Sequence, residues 1–319
     1  MTYPKLRRST FAAGAIAALT VPALRSARAA DLTKIAAGSS FEDDAGVVIY
    51  GNASGTFSRL GLDVNVVKMA SGSAGAAAVA GGALDVAKGS VIAVVAAHAH
   101  GIPFVIIAPS TLFTVEHPIS GILVRLDSPI HTGADLNGKT IGVASLVDSR
   151  ILSIRAWVDR NGGDAQTLKL LEIPTATIVA ALDSGRIDAT AASDPSLFDA
   201  LASGRVRNIG EPNSAVAKRY VITAWFTTRD YAQRNADVIR RFRSGLETAA
   251  VYANAHPKEM AQYIAPFTGI DEAKLRQWTR AQVATTPIVP ADIQPVIDVA
   301  AKYRFIDKPF PASEIIFAG

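Results

Sequence analysis

The chain of 319 residues contains no cysteine. That absence excludes disulfides, thiolate metal sites, a cysteine nucleophile and a lipid-modified cysteine behind a leader. Histidine is scarce: His98, His100, His117, His131 and His256 are all there are. His98 and His100 lie two apart on a predicted helix, share no face, and make a poor metal pair. No HExxH, GxSxG or P-loop spacing occurs, and the glycines of SGSAG (71–75) lack the rest of a dinucleotide fingerprint. The sequence therefore offers no catalytic residue, no metal site and no cofactor motif. Aromatic residues make up only 7% of the chain, so the positions of individual rings carry information.

A basic start, an apolar middle and a small-residue end open the chain. Arg7 and Arg8 precede Ser9-Thr10-Phe11, an apolar stretch runs to Leu24, and Ala27-Arg28-Ala29 offers a cleavage site. These are the parts of an export signal over residues 1–29, and the paired arginines favour the twin-arginine route. A spanning helix needs roughly 20 apolar residues; this stretch is shorter and Pro22 interrupts it. The leader carries five of the 32 bases and no acid, which leaves 27 bases against 28 acids, a net charge of −1. A near-neutral protein without a Lys/Arg run has little to offer a nucleic-acid backbone. About 290 remaining residues exceed one typical domain.

Short β-rich runs then alternate with helical ones. Strands are predicted over 32–38, 62–68, 84–88 and 103–108, then over 139–144, 168–173 and 187–192. Between the latter, helices are expected over 148–161 and 175–184. Ser40 and Asp43 read as a capping box for a first helix. Alternation at this spacing argues for mostly parallel sheets covered by helices. One six-residue pattern occurs twice, as Gly82-Ala83-Leu84-Asp85-Val86-Ala87 and Gly185-Arg186-Ile187-Asp188-Ala189-Thr190. Two similar α/β lobes follow from it. Residues 109–122 and 205–228 are read as connecting segments, a two-stranded hinge, with only helices after them (237–254, 257–265, 271–284 and 291–303).

In such a sheet, ligands bind beyond the carboxyl ends of the strands. Small polar turns occupy those ends: Ser39 and Ser40; Ser71, Gly72 and Ser73; Ser90; Ser145 to Ser149, including Asp148; and Asp194. Glycine admits close backbone approach, serine both donates and accepts, and a helix start presents free N–H groups to an anion. Lys88 ends an apolar strand just before Gly89-Ser90, where its ammonium would emerge at the cleft beside a carboxylate, sulfonate or phosphate. Glu42-Asp43-Asp44 suit a helix's first turn, and a zwitterion would satisfy both Lys88 and these acids. Phe41 and Trp225 stand where a ring could cover an organic ligand, and Thr111 lies in the first connection.

Three stretches, 61–90, 122–143 and 173–195, together with YVITAWFTTRDYAQRNADVIRRF (220–242), resemble the periplasmic substrate-binding proteins of ABC importers. The likeness is to the nitrate/sulfonate/taurine group, related to the binding proteins for thiamine-pyrimidine precursors. The resemblance implies a type II periplasmic-binding fold. One lobe comprises 30–112 with 222–319 and the other 113–221. It implies a periplasmic monomer that captures a small organic anion or zwitterion by lobe closure and delivers it to an inner-membrane permease. The ligand contacts it implies are Ser39, Ser40, Ser71, Gly72, Ser73, Lys88, Ser90, the loop Ser145–Ser149 and Asp194. An enzyme on the same fold, with Asp148 and Asp194 as candidate acid/base groups, and a sensory binding protein are the alternatives.

Overall fold

The computed structural model describes residues 32–40, 42–69, 71–143, 146, 149–174, 177–193 and 196–319. Phe41, Ser145, Asp148 and Asp194, together with the leader, lie outside the described residues. The strands are β1 Thr33–Ser40, β2 Leu62–Met69, β3 Val86–Ser90, β4 Phe104–Pro109, β5 Leu112–Thr114 and β6 Ser120–Arg125. They continue as β7 Thr140–Val143, β8 Lys169–Glu172, β9 Ala189–Ser193, β10 Val206–Asn208, β11 Arg219–Val221 and β12 Thr223–Thr228. The helices are α1 Ala45–Ala53, α2 Thr56–Arg59, α3 Gly72–Ala80, α4 Val91–Ala99, α5 Ser149–Arg160 and α6 Ile178–Asp183. After them come α7 Ser196–Ala202, α8 Arg229–Arg234, α9 Ala236–Ala255, α10 Ala261–Thr268, α11 Glu272–Gln277 and α12 Gln294–Lys302.

Two five-stranded sheets form two α/β lobes. The first has the order β2-β1-β3-β12-β4 and the second, read from its other edge, β8-β7-β9-β6-β10. In each, three parallel strands are followed by one antiparallel strand, β12 or β6. The last strand pairs antiparallel with that one. Strands β5 and β11 form a separate antiparallel ribbon where the chain passes between the lobes. The antiparallel member of the second sheet, β6, falls where the sequence reads as connection. Its six residues SGILVR give too short an apolar run to separate from a loop.

The repeated hexapeptide does the same work twice. Gly82 and Gly185 take φ of +73° and +71°, the left-handed region where glycine costs least. Asp85 then accepts from the Ala36 N–H at 2.8 Å, and Asp188 accepts from the Thr140 N–H at 2.8 Å. Each aspartate N–H returns a bond to the carbonyl of the same residue. Leu84 lies over Gly38 and Ile187 over Gly142, so close that a Cβ on either glycine would sit 2.5 Å from the covering Cδ1. The aspartate thus clips the third strand to the first, while the glycine makes room for the apolar residue beside it.

Apolar packing surrounds this frame. Helix α9 places Ile239, Phe242, Leu246 and Ala249 on one face. Phe242 stacks on Phe57 at 5.5 Å between ring centroids and meets Trp225 edge-on at 5.3 Å. Burial of each such side chain contributes roughly 1.5–3 kcal/mol. On the other side, Ile92, Phe226, Ile122, Ile151 and Trp157 belong to one cluster continuous from lobe to lobe. The expected helix over 271–284 stops at Gln277, because the chain beyond it is drawn out along the first connection. There Leu112 donates to the Gln282 carbonyl and Ala284 to the Ser110 carbonyl, both at 2.9 Å. Among the described residues no helix is long and apolar enough to cross a membrane.

Candidate functional site

The small polar turns stand at the carboxyl ends of their strands. Ser71 caps α3, its Oγ accepting from the Ala74 N–H at 3.2 Å, and lies 2.8 Å from the Ser73 hydroxyl. Gly72 packs against the turn after β3: a Cβ on it would lie 3.5 Å from the Gly89 Cα. The turns after β2 and β3 therefore touch, backbone to backbone, which only small residues permit. Ser39 is fully buried, its hydroxyl bonded to the Ser40 carbonyl at 3.3 Å. Ser90 precedes α4 in an extended conformation, its Oγ buried with no hydrogen-bond partner. The first N–H of that helix, on Val91, donates to the Ile222 carbonyl of the second connection at 2.9 Å.

In the second lobe, Ser149 begins α5, and the Arg150 guanidinium donates to the Ser193 hydroxyl at 3.3 Å, joining the start of α5 to the end of β9. A small recess, about 10 Å³ in cavity volume, lies between the starts of α4 and α5, lined by Ile92, Ser149, Leu152, Tyr220, Ile222 and Val296. Helix starts from both lobes meet the second connection there. Arg150 escaped the sequence reading although it directly follows the Ser145–Ser149 stretch.

The charged residues of the first lobe are arranged otherwise than expected. Lys88 does not emerge at a cleft; its side chain is wholly buried, with the ammonium bonded to Asp44 and, at 2.9 Å, to Glu42. The parallel pairing of β1 with β3 puts Lys88 beneath the loop that follows β1, so the acids that looked like rivals for a ligand are its partners. Burial alone would lower the Lys88 pKa, but the two carboxylates outweigh it and raise it. Burial alone would likewise raise Asp44, and the Lys88 ammonium with its hydroxyl donors holds it below the ordinary carboxylate value. Asp43 is bonded to Arg280, Nε to Oδ2 at 2.9 Å, and burial dominates there, raising its pKa despite the arginine.

Asp44 collects more than the lysine. Its Oδ2 accepts from Ser110 Oγ at 2.8 Å, Thr111 Oγ1 at 2.9 Å and Thr223 Oγ1 at 2.6 Å. Thr111, expected as a ligand contact, is thus buried and turned to Asp44. The capping box of Ser40 and Asp43 is not formed: Asp44 holds the N-cap position without capping a backbone N–H, and Ser40 donates to Glu42 at 3.0 Å. Trp225 does not cover a ligand site; it is 2% exposed and its ring packs on Phe242, because β12 turns that face toward α9. Phe113 is buried against Tyr220.

A family model described as NMT1/THI5 like matches residues 44–260. No curated protein sequence matches the chain. Among solved structures, the periplasmic aliphatic sulphonate binding protein SsuA of Escherichia coli superposes with a TM-score of 0.75 at 19% identity. That match covers 89% of this chain and 92% of the other. The alkanesulfonate-binding protein SsuA of Xanthomonas axonopodis pv. citri, bound to MOPS, gives 0.73 at 18%, covering 90% and 99%. The desulfurization enzyme DSZB gives 0.65 at 15%, covering 89% and 96%. The fold is that of the periplasmic binding proteins.

Proposed function

The chain belongs to the NMT1/THI5-like family, and from that membership, its fold and its strand-end turns we propose that it is the solute-binding subunit of an ABC importer. It would be exported behind the leader and work in the periplasm as a monomer, handing its ligand to an inner-membrane permease. The observation that carries the proposal is the two-lobed fold, which superposes on the sulphonate-binding SsuA structures over 89–90% of this chain; the small recess between the starts of α4 and α5 marks where helix starts from both lobes and the second connection converge. The bodies that would move are 32–112 with 222–319 against 113–221. A ligand that touches both bodies favours the closed arrangement by its differential affinity for it.

The ligand is a small organic anion of the sulfonate class, seated on Ser71, Gly72, Ser73, Ser90 and Ser149; Phe41, Ser145, Asp148 and Asp194 stay in the proposed contact set on the sequence alone. Arg150 adds positive charge at the start of α5, beside those helix N-termini, and both favour an anion. Lys88, Thr111 and Trp225 are left out of the contact set, since each is buried on protein partners. No chemistry on the ligand is required. A thermal-shift screen over alkanesulfonates, MOPS, taurine, nitrate and aromatic carboxylates tests this, because a binder raises the melting temperature by mass action. A sulfonate that raises it and is recovered unaltered by mass spectrometry supports the reading. Recovery of a converted product turns it into an enzyme's, and a flat response to every anion removes the ligand class.

A further inference from the structure

Asp44 sits at the start of α1, where an aspartate ordinarily caps the helix by accepting a backbone N–H. Here the carboxylate leaves those N–H groups and turns inward. A residue that gives up its local role needs a compensating one. Its acceptors are filled from the first-lobe roots of the two segments that join the lobes: Ser110 and Thr111, directly after β4, and Thr223, the first residue of β12. The two segments also bond each other. Thr223 Oγ1 accepts from the Thr111 N–H at 3.0 Å, and the Thr223 carbonyl accepts from the Ser110 N–H at 2.9 Å. Lys88 supplies the balancing charge from β3.

We propose that Asp44 is the positioning residue of the hinge, the group that holds both connecting segments in register against the first lobe and so sets how far the lobes stand apart at rest. The inference rests on the proposed function for its purpose, since only a closing protein uses a set resting angle. Its geometry stands without a ligand. Both segments are rooted in the first lobe at one carboxylate, so a bend that displaces either root breaks a charge-assisted bond to it. Lys88 acts through Asp44: it keeps the carboxylate ionised, hence acceptor-only, so that all three hydroxyls can donate to it at once.

The absence of cysteine makes the test clean, because two exposed positions, Ser58 in the first lobe and Gln166 in the second, can be changed to cysteine and spin-labelled without background. The label–label distance distribution is read by pulsed EPR on the unliganded chain. It is compared among the parent, Thr223→Val, Ser110→Ala/Thr111→Val, and the charge-removing pair Asp44→Asn/Lys88→Met. Loss of a hydrogen bond to a charged group shifts a two-state hinge by roughly tenfold, so these variants should broaden or displace the distribution. Thr190→Val is the control: it deletes an equally buried hydroxyl, bonded to the Gly142 carbonyl at 2.8 Å, within the second lobe. It should lower the melting temperature and leave the distances alone. Unchanged distances in Thr223→Val, or an equal change in Thr190→Val, overturn the proposal. Should the double-charge variant fail to fold, the hydroxyl variants still decide. No solute enters the measurement, so a chain that binds none of the screened anions leaves this result intact.

Discussion

The two lobes share a frame and differ at its mouth. Asp85 and Asp188, Leu84 and Ile187, Gly38 and Gly142, Gly82 and Gly185 hold equivalent places, and the strand orders match element for element. One residue further along the third strand the likeness ends. Lys88 in β3 stands where β9 has Ala191. The first lobe answers that lysine with Asp44 and Glu42, whereas the second keeps small residues and brings Arg150 to Ser193 instead. The lysine and its acids lie on the lobe where both connections are rooted.

The largest test of this contrast is Lys88→Met. Removing one member of a buried pair leaves its partner uncompensated and costs about 3–5 kcal/mol, whereas removing both charges is often near neutral. Urea unfolding should therefore show a large loss for Lys88→Met that Asp44→Asn/Lys88→Met recovers. A neutral Lys88→Met would mean that the pair is not a structural charge. Next come Asp85→Ala and Asp188→Ala. Each frees a backbone N–H of the neighbouring strand, at about 1–3 kcal/mol, and the two losses should agree. A loss at only one of them would break the equivalence of the lobes. Gly38→Ala and Gly142→Ala should cost about 1 kcal/mol each, since the crowded atom is the movable tip of a leucine or isoleucine. Pairing each with Leu84→Val or Ile187→Val should relieve it, as melting temperatures will show.

The smallest effect is on pH dependence. A carboxylate held below its unfolded value of 3.8 contributes stability above that value and loses it as pH falls through the folded one. Asp44 thus destabilises the fold on acidification below about pH 4. Asp43, raised by burial, works against it, because its ionisation cost is relieved as protons bind. The net acid slope should be shallow in the parent and shallower or reversed in Asp44→Asn/Lys88→Met, measured by denaturant midpoints between pH 5 and pH 2. A steeper slope in the variant would contradict the assignment of Asp44 as the depressed group.

Local pattern made most of the frame legible. The seven strands expected from β-rich runs all exist, and the Gly-x-x-Asp repeat disclosed the two-lobe plan because the same letters recur at the same place in the order of elements. The buried charges were misplaced because each occurs once, with no second copy to disclose its partner. Lys88 meets Asp44 across 44 positions and Asp44 meets Thr223 across 179, and no periodicity reports a register that distant. Trp225 was misjudged because alternation along β12 does not say which face points at α9. Strand β6 was missed since Ser120–Val124 are buried on both faces, which leaves no alternation to mark them.

Strand β12 has one further consequence, in the order of synthesis. It lies between β3 and β4, and the outer side of β4 is covered by Ile316 and Phe317, the latter donating to Ile106 at 2.9 Å. As a ribosome delivers the chain, β4 emerges early yet has no neighbour on either side until residue 223 and then 316 arrive. The half that begins first is finished last, and the other half, drawn from one unbroken stretch, can assemble while it waits.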